Sequence, residues 1–298
     1  MEKKQGFKSG FVNIVGNPNV GKSTLMNLLV DERLSIVTHK SQTTRHRIMG
    51  IVNTPDMQIV YSDTPGVLAP RYKLQEQMRA YSNSALQDAD ILLYVTDVVE
   101  TPDKHLDFIA QIKKLSCPII VLINKIDLTT PDKLEALTEE WHQLLEQAEI
   151  LPISALNAFN IAPLKKRIAA LLPESPAYFD QEQLTDRPAK FFVSEIIREK
   201  ILRYYKQEIP YAVEIVVDRF KETDTRIDIE AVILTERDSQ RGILIGKGGR
   251  SIKGVGKSAR EDLEKFFQKH IRLELFVKVA PDWRNDTRRL SDFGYISD

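Results

Sequence analysis

Four short segments of the chain carry residue types that bind nucleotides, and the first is residues 16–23, G-N-P-N-V-G-K-S. It fits the pattern G-x-x-x-x-G-K-[ST], in which backbone N–H groups cradle phosphate oxygens and the lysine reaches the outer phosphates. Gly16 and Gly21 permit a tight backbone path that a Cβ atom would obstruct. Lys22 should face the β- and γ-phosphates, and Ser23 is the expected Mg²⁺ ligand. The pattern alone predicts a nucleoside triphosphate and leaves the base open.

The second segment, Asp63-Thr64-Pro65-Gly66, follows an apolar run that reads as a strand. A carboxylate at Asp63 can hold Mg²⁺ through water. Gly66 would let its backbone N–H approach the γ-phosphate, so we expect this loop to differ between the triphosphate and diphosphate states. As a tetrapeptide it is a common turn, and its position after a strand makes it informative.

The third and fourth segments choose the base. They are Asn124-Lys125-Ile126-Asp127 and Ser154-Ala155-Leu156. A carboxylate at Asp127 can accept hydrogen bonds from guanine N1–H and from its 2-amino group, whereas adenine would leave that carboxylate unpaired. We expect the Lys125 stem to cover one face of the base and the Ala155 N–H to donate to guanine O6. The four segments therefore predict a guanine-nucleotide site.

The first switch should lie in Ser41-Gln42-Thr43-Thr44-Arg45-His46-Arg47. We predict that Thr44 closes over Mg²⁺ and the γ-phosphate, with Thr43 as the alternative. The predicted metal ligands are thus Ser23, Thr44 and Asp63, and the predicted catalytic residues are Lys22, Thr44 and Gly66. The predicted nucleotide-binding residues are Gly16, Asn17, Pro18, Asn19, Val20, Gly21, Lys22, Ser23, Thr24, Asp63, Thr64, Pro65, Gly66, Val67, Asn124, Lys125, Ile126, Asp127, Ser154, Ala155 and Leu156.

Activation of the attacking water is a gap in this pattern. Many switch GTPases place a glutamine directly after Asp-x-x-Gly to orient that water. Here the position is Val67, whose side chain can neither donate nor accept a hydrogen bond, so we expect slow intrinsic hydrolysis that a partner or a cation assists. Asn19 occupies the place where some potassium-activated GTPases hold K⁺ against the phosphates. The alternative is that Asn19 merely braces the loop.

Composition is that of a globular protein with an uneven charge. The 298 residues are 42% hydrophobic with zero formal net charge, but residues 187–298 hold 23 Lys/Arg against 19 Asp/Glu. Residues 241–260 contain six basic residues and no acidic one, which predicts a polyanionic partner, or else a solvated basic face. The single cysteine, Cys117, excludes an internal disulfide and suits a reducing compartment. Residues 1–5 lack the apolar run of a signal peptide, so we expect a cytoplasmic protein.

Two kinds of periodicity divide the chain. Up to about residue 172, short β-branched runs (11–15, 48–52, 58–61, 91–95, 119–123 and 150–153) alternate with helical patterns (22–30, 103–114, 132–147 and 161–171). This order predicts an α/β domain, 1–172, with a mostly parallel sheet whose ligand lies at the carboxyl ends of the strands. Residues 173–190 contain three prolines and suit a linker.

Residues 191–298 predict a second, α+β domain in the order helix (191–206), strand (211–219), strand (226–235), short helix, glycine-rich turn, helix (251–268) and strand (271–279). A G-x-x-G loop between two helices lets a nucleic-acid backbone pass close to the chain. With the basic window around it, this order predicts a type II KH domain that binds single-stranded RNA. Ile243, Ile245, Ile252 and Val255 would line the floor under the bases. The predicted RNA-binding residues are Ile245, Gly246, Lys247, Gly248, Gly249, Arg250 and Lys253.

Taken together, the chain resembles the bacterial Era family along essentially its whole length. The resemblance lies in residues 42–47 (Q-T-T-R-H-R), residues 194–200 (S-E-I-I-R-E-K) and the tail from Trp283 to Tyr295, beside the four nucleotide segments and the G-x-x-G loop. It implies a GTPase that uses GTP, GDP and Mg²⁺, binds the 3′ end of the small-subunit ribosomal RNA and assists small-subunit assembly. A monomer is our default expectation, since the residues do not fix the oligomeric state. It also implies peripheral contact with the inner face of the cytoplasmic membrane.

Three alternative functions have to be compared with these residues. The chain could be a KH-type RNA-binding protein whose nucleotide domain is a scaffold, but the intact Lys22, Ser23, Asp63 and Asp127 argue against this. It could be a membrane-associated regulatory GTPase. A P-loop ATPase is the third reading, which Asp127 contradicts. How the nucleotide state couples to RNA is not evident from the residues.

Overall fold

The computed structural model describes residues 6–102 and 106–296. The N-terminal residues 1–5 and the first residues of the helix predicted from 103 therefore lie outside the described residues. The chain forms two compact units. The first unit holds the residues up to Ser35, Thr44–Pro70 and Met78–Asp186, and the second holds Ile36–Thr43, Arg71–Gln77 and the chain from Arg187 onward.

The sheet of the first unit has six strands in the order β2-β3-β1-β4-β5-β6. They are β1 (Lys8–Gly16), β2 (Ile48–Asn53), β3 (Met57–Asp63), β4 (Ile91–Asp97), β5 (Ile119–Asn124) and β6 (Glu149–Pro152). Only β2 runs antiparallel to its neighbour, through the hairpin at residues 54–56. The other pairs are parallel, so the carboxyl ends of β1, β3, β4 and β5 lie at one edge.

The described residues between 22 and 171 contain five α-helices, and the first five residues of the second helix, 73–77, belong to the second unit. The helices are α1 (Lys22–Val30), α2 (Lys73–Gln87), α3 (Leu106–Ile112), α4 (Pro131–Leu144) and α5 (Ile161–Leu171). On one face α1 packs against β1, β2 and β3 and against α5. On the other face an apolar cluster joins β1, β4 and β5 to α2, α3 and α4, with Trp141 and Tyr94 as its largest members. Burial on both faces explains why the parallel strands are near-continuous apolar runs.

The segment after α5 follows the first sheet closely. Ser9 N–H donates to the carbonyl of Pro173 at 3.1 Å, and the Phe11 ring lies 4.8 Å from that of Tyr178. Ile51 N–H donates to the Leu184 carbonyl at 2.9 Å, on the open side of the edge strand β2. The first fourteen residues of the predicted linker 173–190 are thus attached to the first unit. The domain limits 1–172 and 191–298 remain predictions.

The second unit contains a three-stranded sheet in the order β7-β8-β9, in which β7 and β8 are antiparallel and β8 and β9 parallel. Its elements are α6 (Ala189–Tyr204), β7 (Glu214–Glu222), β8 (Arg226–Thr235), α7 (Asp238–Ile245), α8 (Arg250–Phe267), β9 (His270–Val279) and α9 (Thr287–Asp292). Side chains of α6, α7 and α8 share one core with the sheet. The order α-β-β-α-α-β is confirmed, and with it the predicted fold class.

A buried charged group lies within the second unit. Arg198 on α6 is 1% exposed, and its guanidinium pairs with the Glu195 carboxylate at 2.5 Å. The same guanidinium donates to the carbonyls of Gln42 and Thr43, which belong to this unit. Burial lowers the pKa of Arg198, but the adjacent Glu195 carboxylate, together with Tyr295 and Glu214, outweighs it, so that the pKa is raised and the side chain stays charged.

Several predicted boundaries differ from the structure by one to three residues, and one helix was not predicted. The strand predicted at 211–219 begins at Glu214, because Ile209–Tyr211 forms a 3₁₀ turn around Pro210. The last helix of the KH order ends at Phe267, one residue early. No helix was predicted between β3 and β4, where α2 lies, because its sequence K-L-Q-E-Q-M-R-A-Y-S-N-S-A-L-Q is too polar to stand out.

Candidate functional site

The phosphate loop joins β1 to α1 at the carboxyl edge of the first sheet, and its shape requires two glycines. Gly16 has φ +147°, and a Cβ there would lie 2.1 Å from the Val95 carbonyl oxygen. Gly21 has φ +102°, and a Cβ there would lie 2.2 Å from Nδ2 of Asn124. The loop therefore fits between β4 and the start of the base-reading segment only without these side chains. The helix α1 begins directly after it and directs its positive end toward the loop.

Lys22 is buried and bends back over this loop. Its ammonium donates to the carbonyls of Gly16 and Asn17, at 3.1 and 2.7 Å. Burial lowers the pKa of Lys22 to about 8, although the carboxylates of Asp63 and Glu100 raise it in part. The ammonium is thus held where a phosphate would be its stronger partner.

Three oxygen-bearing side chains gather beside the loop. The Ser23 hydroxyl lies 2.9 Å from that of Thr44 and donates to Oδ2 of Asp63 at 2.8 Å, and Thr44 donates to the same oxygen at 3.3 Å. The other oxygen, Oδ1 of Asp63, is buried and has no hydrogen-bond partner among the described residues. Burial raises the pKa of Asp63, while Lys22 and the two hydroxyls oppose that shift. Hydroxyl and carboxylate oxygens in this arrangement fit Mg²⁺.

The loop after Asp63 is pressed against the phosphate loop. A Cβ on Gly66 would lie 2.6 Å from the backbone nitrogen of Pro18, so only glycine allows this approach. Val67 N–H donates to the Gly16 carbonyl at 3.1 Å. The Val67 side chain is buried in the apolar cluster of the first unit, so it faces the core and not the phosphates. Thr64 and Pro65 are also fixed, through Ile14 O and the Ser82 hydroxyl respectively.

The base-reading residues are held together by side-chain bonds. Asn124 donates to the Val20 carbonyl at 2.7 Å and accepts from the Ala155 N–H at 2.9 Å, so one amide ties the phosphate loop to the loop after β6. The Ser154 hydroxyl donates to Oδ1 of the exposed Asp127 at 2.5 Å, which orients that carboxylate. The Ala155 N–H therefore already donates to Asn124. To donate to guanine O6 as well, this N–H must be shared between the two acceptors or released from Asn124.

Three predicted residues of this site lie at its rim. Leu156 is 80% exposed, and Ile126 is half-buried beneath the base-reading turn. Asn19 is exposed, with a left-handed backbone at φ +67°. Asn17 is buried and donates from Nδ2 to Glu100 at 2.9 Å, while its Oδ1 is without a partner among the described residues.

A groove in the second unit adjoins the G-x-x-G loop. Gly246, Gly248 and Gly249 all have positive φ, at +69°, +61° and +75°. A Cβ on Gly246 would lie 2.2 Å from the Ser251 hydroxyl oxygen, whereas Cβ atoms on Gly248 and Gly249 would meet nothing within 4 Å. Lys247 and Arg250 are exposed beside them. The loop thus leaves open space above two of its glycines, as a passing backbone would need.

The groove itself has a volume of about 330 Å³ and lies between α8 and β9. Its lining is basic and apolar: Ile252, Lys253, Gly256, Lys257, Arg260, Leu273 and Leu275. Lys257 and Arg260 were absent from the predicted RNA-binding residues. Together with Lys253 they follow a helical spacing along one face, and this spacing was the signal in the sequence that could have identified them. Val255, expected in the floor, is buried in the core instead, because it projects from the opposite face of α8.

This arrangement defines the class of protein: a P-loop, guanine-specific nucleotide domain joined to a type II KH domain. A family model described as 50S ribosome-binding GTPase matches residues 11–125, and a KH domain model matches residues 208–284. A GTPase Era of Staphylococcus haemolyticus is 43% identical over 293 residues, which are 98% of each chain.

Two solved structures agree along the whole chain. Era in complex with MgGDPNP and nucleotides 1506–1542 of 16S ribosomal RNA has a TM-score of 0.93 and 37% identity, covering 98% of this chain and all of that one. A variant of Aquifex aeolicus Era bound to GDP·AlF₄⁻ has the same TM-score and coverage at 36% identity. The chain belongs to the Era family of GTPases, and it is accordingly an enzyme that hydrolyses GTP. Among the described residues, no helix is long and apolar enough to cross a membrane.

Proposed function

We propose that this GTPase binds the 3′ end of the small-subunit ribosomal RNA through its KH domain and assists small-subunit assembly. The G-x-x-G loop and the basic groove beside it carry the proposal, because they combine backbone access, positive charge and an apolar floor. The similar Era structure was solved with a 16S fragment, and 16S RNA belongs to the small subunit. This favours the small subunit, although the description of the matching family model refers to 50S.

Contacts within the first unit support the nucleotide roles that we propose. Lys22 binds the β- and γ-phosphates, because its ammonium lies over the loop and its hydrogen-bond partners among the described residues are backbone carbonyls. Ser23, Thr44 and Asp63 hold Mg²⁺, which neutralises phosphate charge when bound. The Gly66 N–H approaches the γ-phosphate from a loop that touches Pro18. Thr44 is favoured over Thr43, since its hydroxyl is the one that reaches Ser23 and Asp63.

Asp127 is the residue that we propose reads guanine. Its carboxylate is exposed at the edge of the site and oriented by Ser154. The substitution Asp127→Asn should move preference from guanine toward xanthine nucleotides, because an amide NH₂ complements the 2-oxo group of xanthine. Competition between GDP and XDP for the wild type and the variant measures this shift. Unchanged guanine preference in the variant would refute the assignment.

Water activation must come from outside the Asp-x-x-Gly segment, because Val67 is packed in the core. We propose slow intrinsic hydrolysis, with K⁺ held by Asn19 as a candidate aid. The left-handed conformation of Asn19 projects it from the exposed side of the phosphate loop. Single-turnover hydrolysis in K⁺ and in Na⁺ buffers of equal ionic strength tests this aid. Equal rates would remove K⁺ and leave a macromolecular partner as the activator.

The decisive experiment on RNA uses the fragment 1506–1542 found with the similar Era structure. Its affinity is measured at fixed salt with the protein loaded with GTP analogue or with GDP, and with a scrambled fragment as control. Tighter binding in the triphosphate state gives the coupling free energy directly. Equal affinity in both states would mean that GTP controls another step. Failure to bind the fragment in preference to its scrambled control would refute the RNA assignment.

We place the protein in the cytoplasm, because its nucleotide and its ribosomal partner are found there. Peripheral contact with the inner face of the membrane remains a prediction from the family resemblance, and a monomeric state remains our default expectation. A vesicle flotation assay with anionic lipids, in both nucleotide states, tests the membrane contact.

A further inference from the structure

A buried carboxylate outside the four nucleotide segments contacts two of the residues around them. Asp97 is the last residue of β4, the strand between β1 and β5, and is 3% exposed. In the parallel register it pairs with Asn124, the first residue of the base-reading segment. The carboxylate is thus placed at the edge where both nucleotide-binding loops begin.

Both oxygens of Asp97 are engaged. Oδ2 accepts from the Lys125 ammonium at 2.5 Å, in an ion pair whose carboxylate is 4% exposed and whose lysine is 31% exposed. Oδ1 accepts from the backbone N–H groups of Val99 and Glu100, at 2.9 and 3.0 Å, and so fixes the turn after β4. One charged group therefore holds a side chain and a turn at once.

Two partners of Asp97, Lys125 and Glu100, are connected to the nucleotide site. Lys125 has a left-handed backbone, φ +61°, which an L-residue adopts at a cost. Its ammonium is paired with Asp97, so the far end of the side chain is held in place. Glu100, at the end of the turn, accepts from Nδ2 of Asn17 in the phosphate loop. The carboxylate of Asp97 thus restrains a neighbour of the base and a neighbour of the phosphates.

We propose that Asp97 is a positioning residue for guanine-nucleotide binding, and that it acts through Lys125. The inference rests on the proposed role of Lys125 as the cover of the base. Held by Asp97, the lysine stem has one conformation before nucleotide arrives, so that less rotamer entropy is lost on binding. Without the ion pair, the stem has to be ordered by the nucleotide itself.

The first test is Asp97→Asn, which keeps the shape and an acceptor for the turn but removes the charge that holds Lys125. We expect affinities for GDP and for a non-hydrolysable GTP analogue to fall by about the same factor, roughly tenfold, the lower range for a lost bond to a charged group. The KM for GTP should rise by a similar factor and kcat should stay unchanged. Where Asp97→Asn does not fold, Asp97→Ser replaces it, since a serine hydroxyl can also cap the turn.

A double-mutant cycle separates positioning from a general loss of stability. Lys125→Met should weaken GDP binding, and adding Asp97→Asn to it should change affinity by less than about twofold, because the partner is already absent. The proposal would be overturned if Asp97→Asn lowered the affinity for GDP tenfold in the Lys125→Met background as well. It would also be overturned if Asp97→Asn alone bound GDP as tightly as the wild type.

The matched control is Asp88→Asn, which breaks another ion pair of the first unit. Asp88 pairs with Arg47 at 2.7 Å, in a group that contacts Asn13 and Ser62 on the sheet. This variant should lose thermal stability and keep its GDP affinity within about twofold, whereas an equal loss of affinity would assign the Asp97 effect to stability. Failure of the wild type to bind GDP would instead refute the nucleotide site itself.

Discussion

The protonation of Lys22 should make nucleotide affinity depend on pH. In the free protein, burial lowers the pKa of this ammonium to about 8. Bound phosphates favour the charged form and raise its pKa toward or above the ordinary 10.5. Above about pH 8, nucleotide binding must therefore take up a proton, and affinity falls as pH rises.

The size of the effect follows from the two pKa values. Between pH 7 and pH 9, the affinity for GDP should fall about tenfold, because at pH 9 only about one free molecule in ten carries the proton. At pH 8.5 about three-quarters of a proton should be taken up for each nucleotide bound. Below pH 7 this group contributes no further change, since it is charged in both states.

Calorimetry measures this uptake directly. Titration of GDP at pH 8.5 in two buffers of different ionisation enthalpy gives the number of protons bound. The variant Lys22→Arg keeps its charge throughout, so it should show none of this uptake, and titration of the guanine ring appears equally in both proteins. If the wild type takes up no more protons than Lys22→Arg, and if its affinity for GDP is constant from pH 7 to 9, then the lowered pKa of Lys22 in the free protein is refuted.

Three further changes test the packing and the RNA groove. Gly66→Ala forces a Cβ into the phosphate-loop backbone and should weaken GTP-analogue binding about tenfold by equilibrium dialysis; a loss under twofold would contradict the close approach. Arg198→Met should lower the free energy of unfolding by about 3 kcal/mol, and adding Glu195→Gln should recover much of it, in urea titrations followed by tryptophan fluorescence; equal stability of the single and the double variant would contradict the buried pair. Lys257→Gln should reduce the slope of log affinity for single-stranded RNA against log salt by about 0.7, and an unchanged slope would place Lys257 off the RNA path.

Much of the fold was predictable, because the apolar strands and the loop glycines can be recognised from short stretches of sequence. The parallel strands are buried on both faces, so their apolar runs are visible in the sequence, and the loop glycines are required by clashes that begin with their own Cβ atoms. The helix α2 was not predicted, because its few buried positions, such as Leu74 and Met78, are separated by polar residues. Its existence depends on packing against elements that the sequence does not place nearby.

The site shows the same division. The spacing of Ser23, Asp63 and Asp127 after strands predicted their convergence, since carboxyl ends of parallel strands share an edge. The pairing of Asp97 with Lys125 was not predictable, because a single aspartate at a strand end has no distinguishing pattern. Val255 was misplaced for a related reason: the residue follows an apolar spacing, and only the packed structure shows which face of α8 is buried.

The course of residues 173–186 has a practical consequence for isolating the nucleotide domain. Because β2 is an edge strand, its unpaired backbone groups would be a template for another chain to pair with, and the backbone at Leu184 and Thr185 covers that edge. A fragment cut at residue 172, where periodicity ends, would leave this edge bare and be prone to self-association. A fragment cut at 186 keeps the edge closed, so the useful boundary for expression or limited proteolysis lies fifteen residues beyond the end of α5.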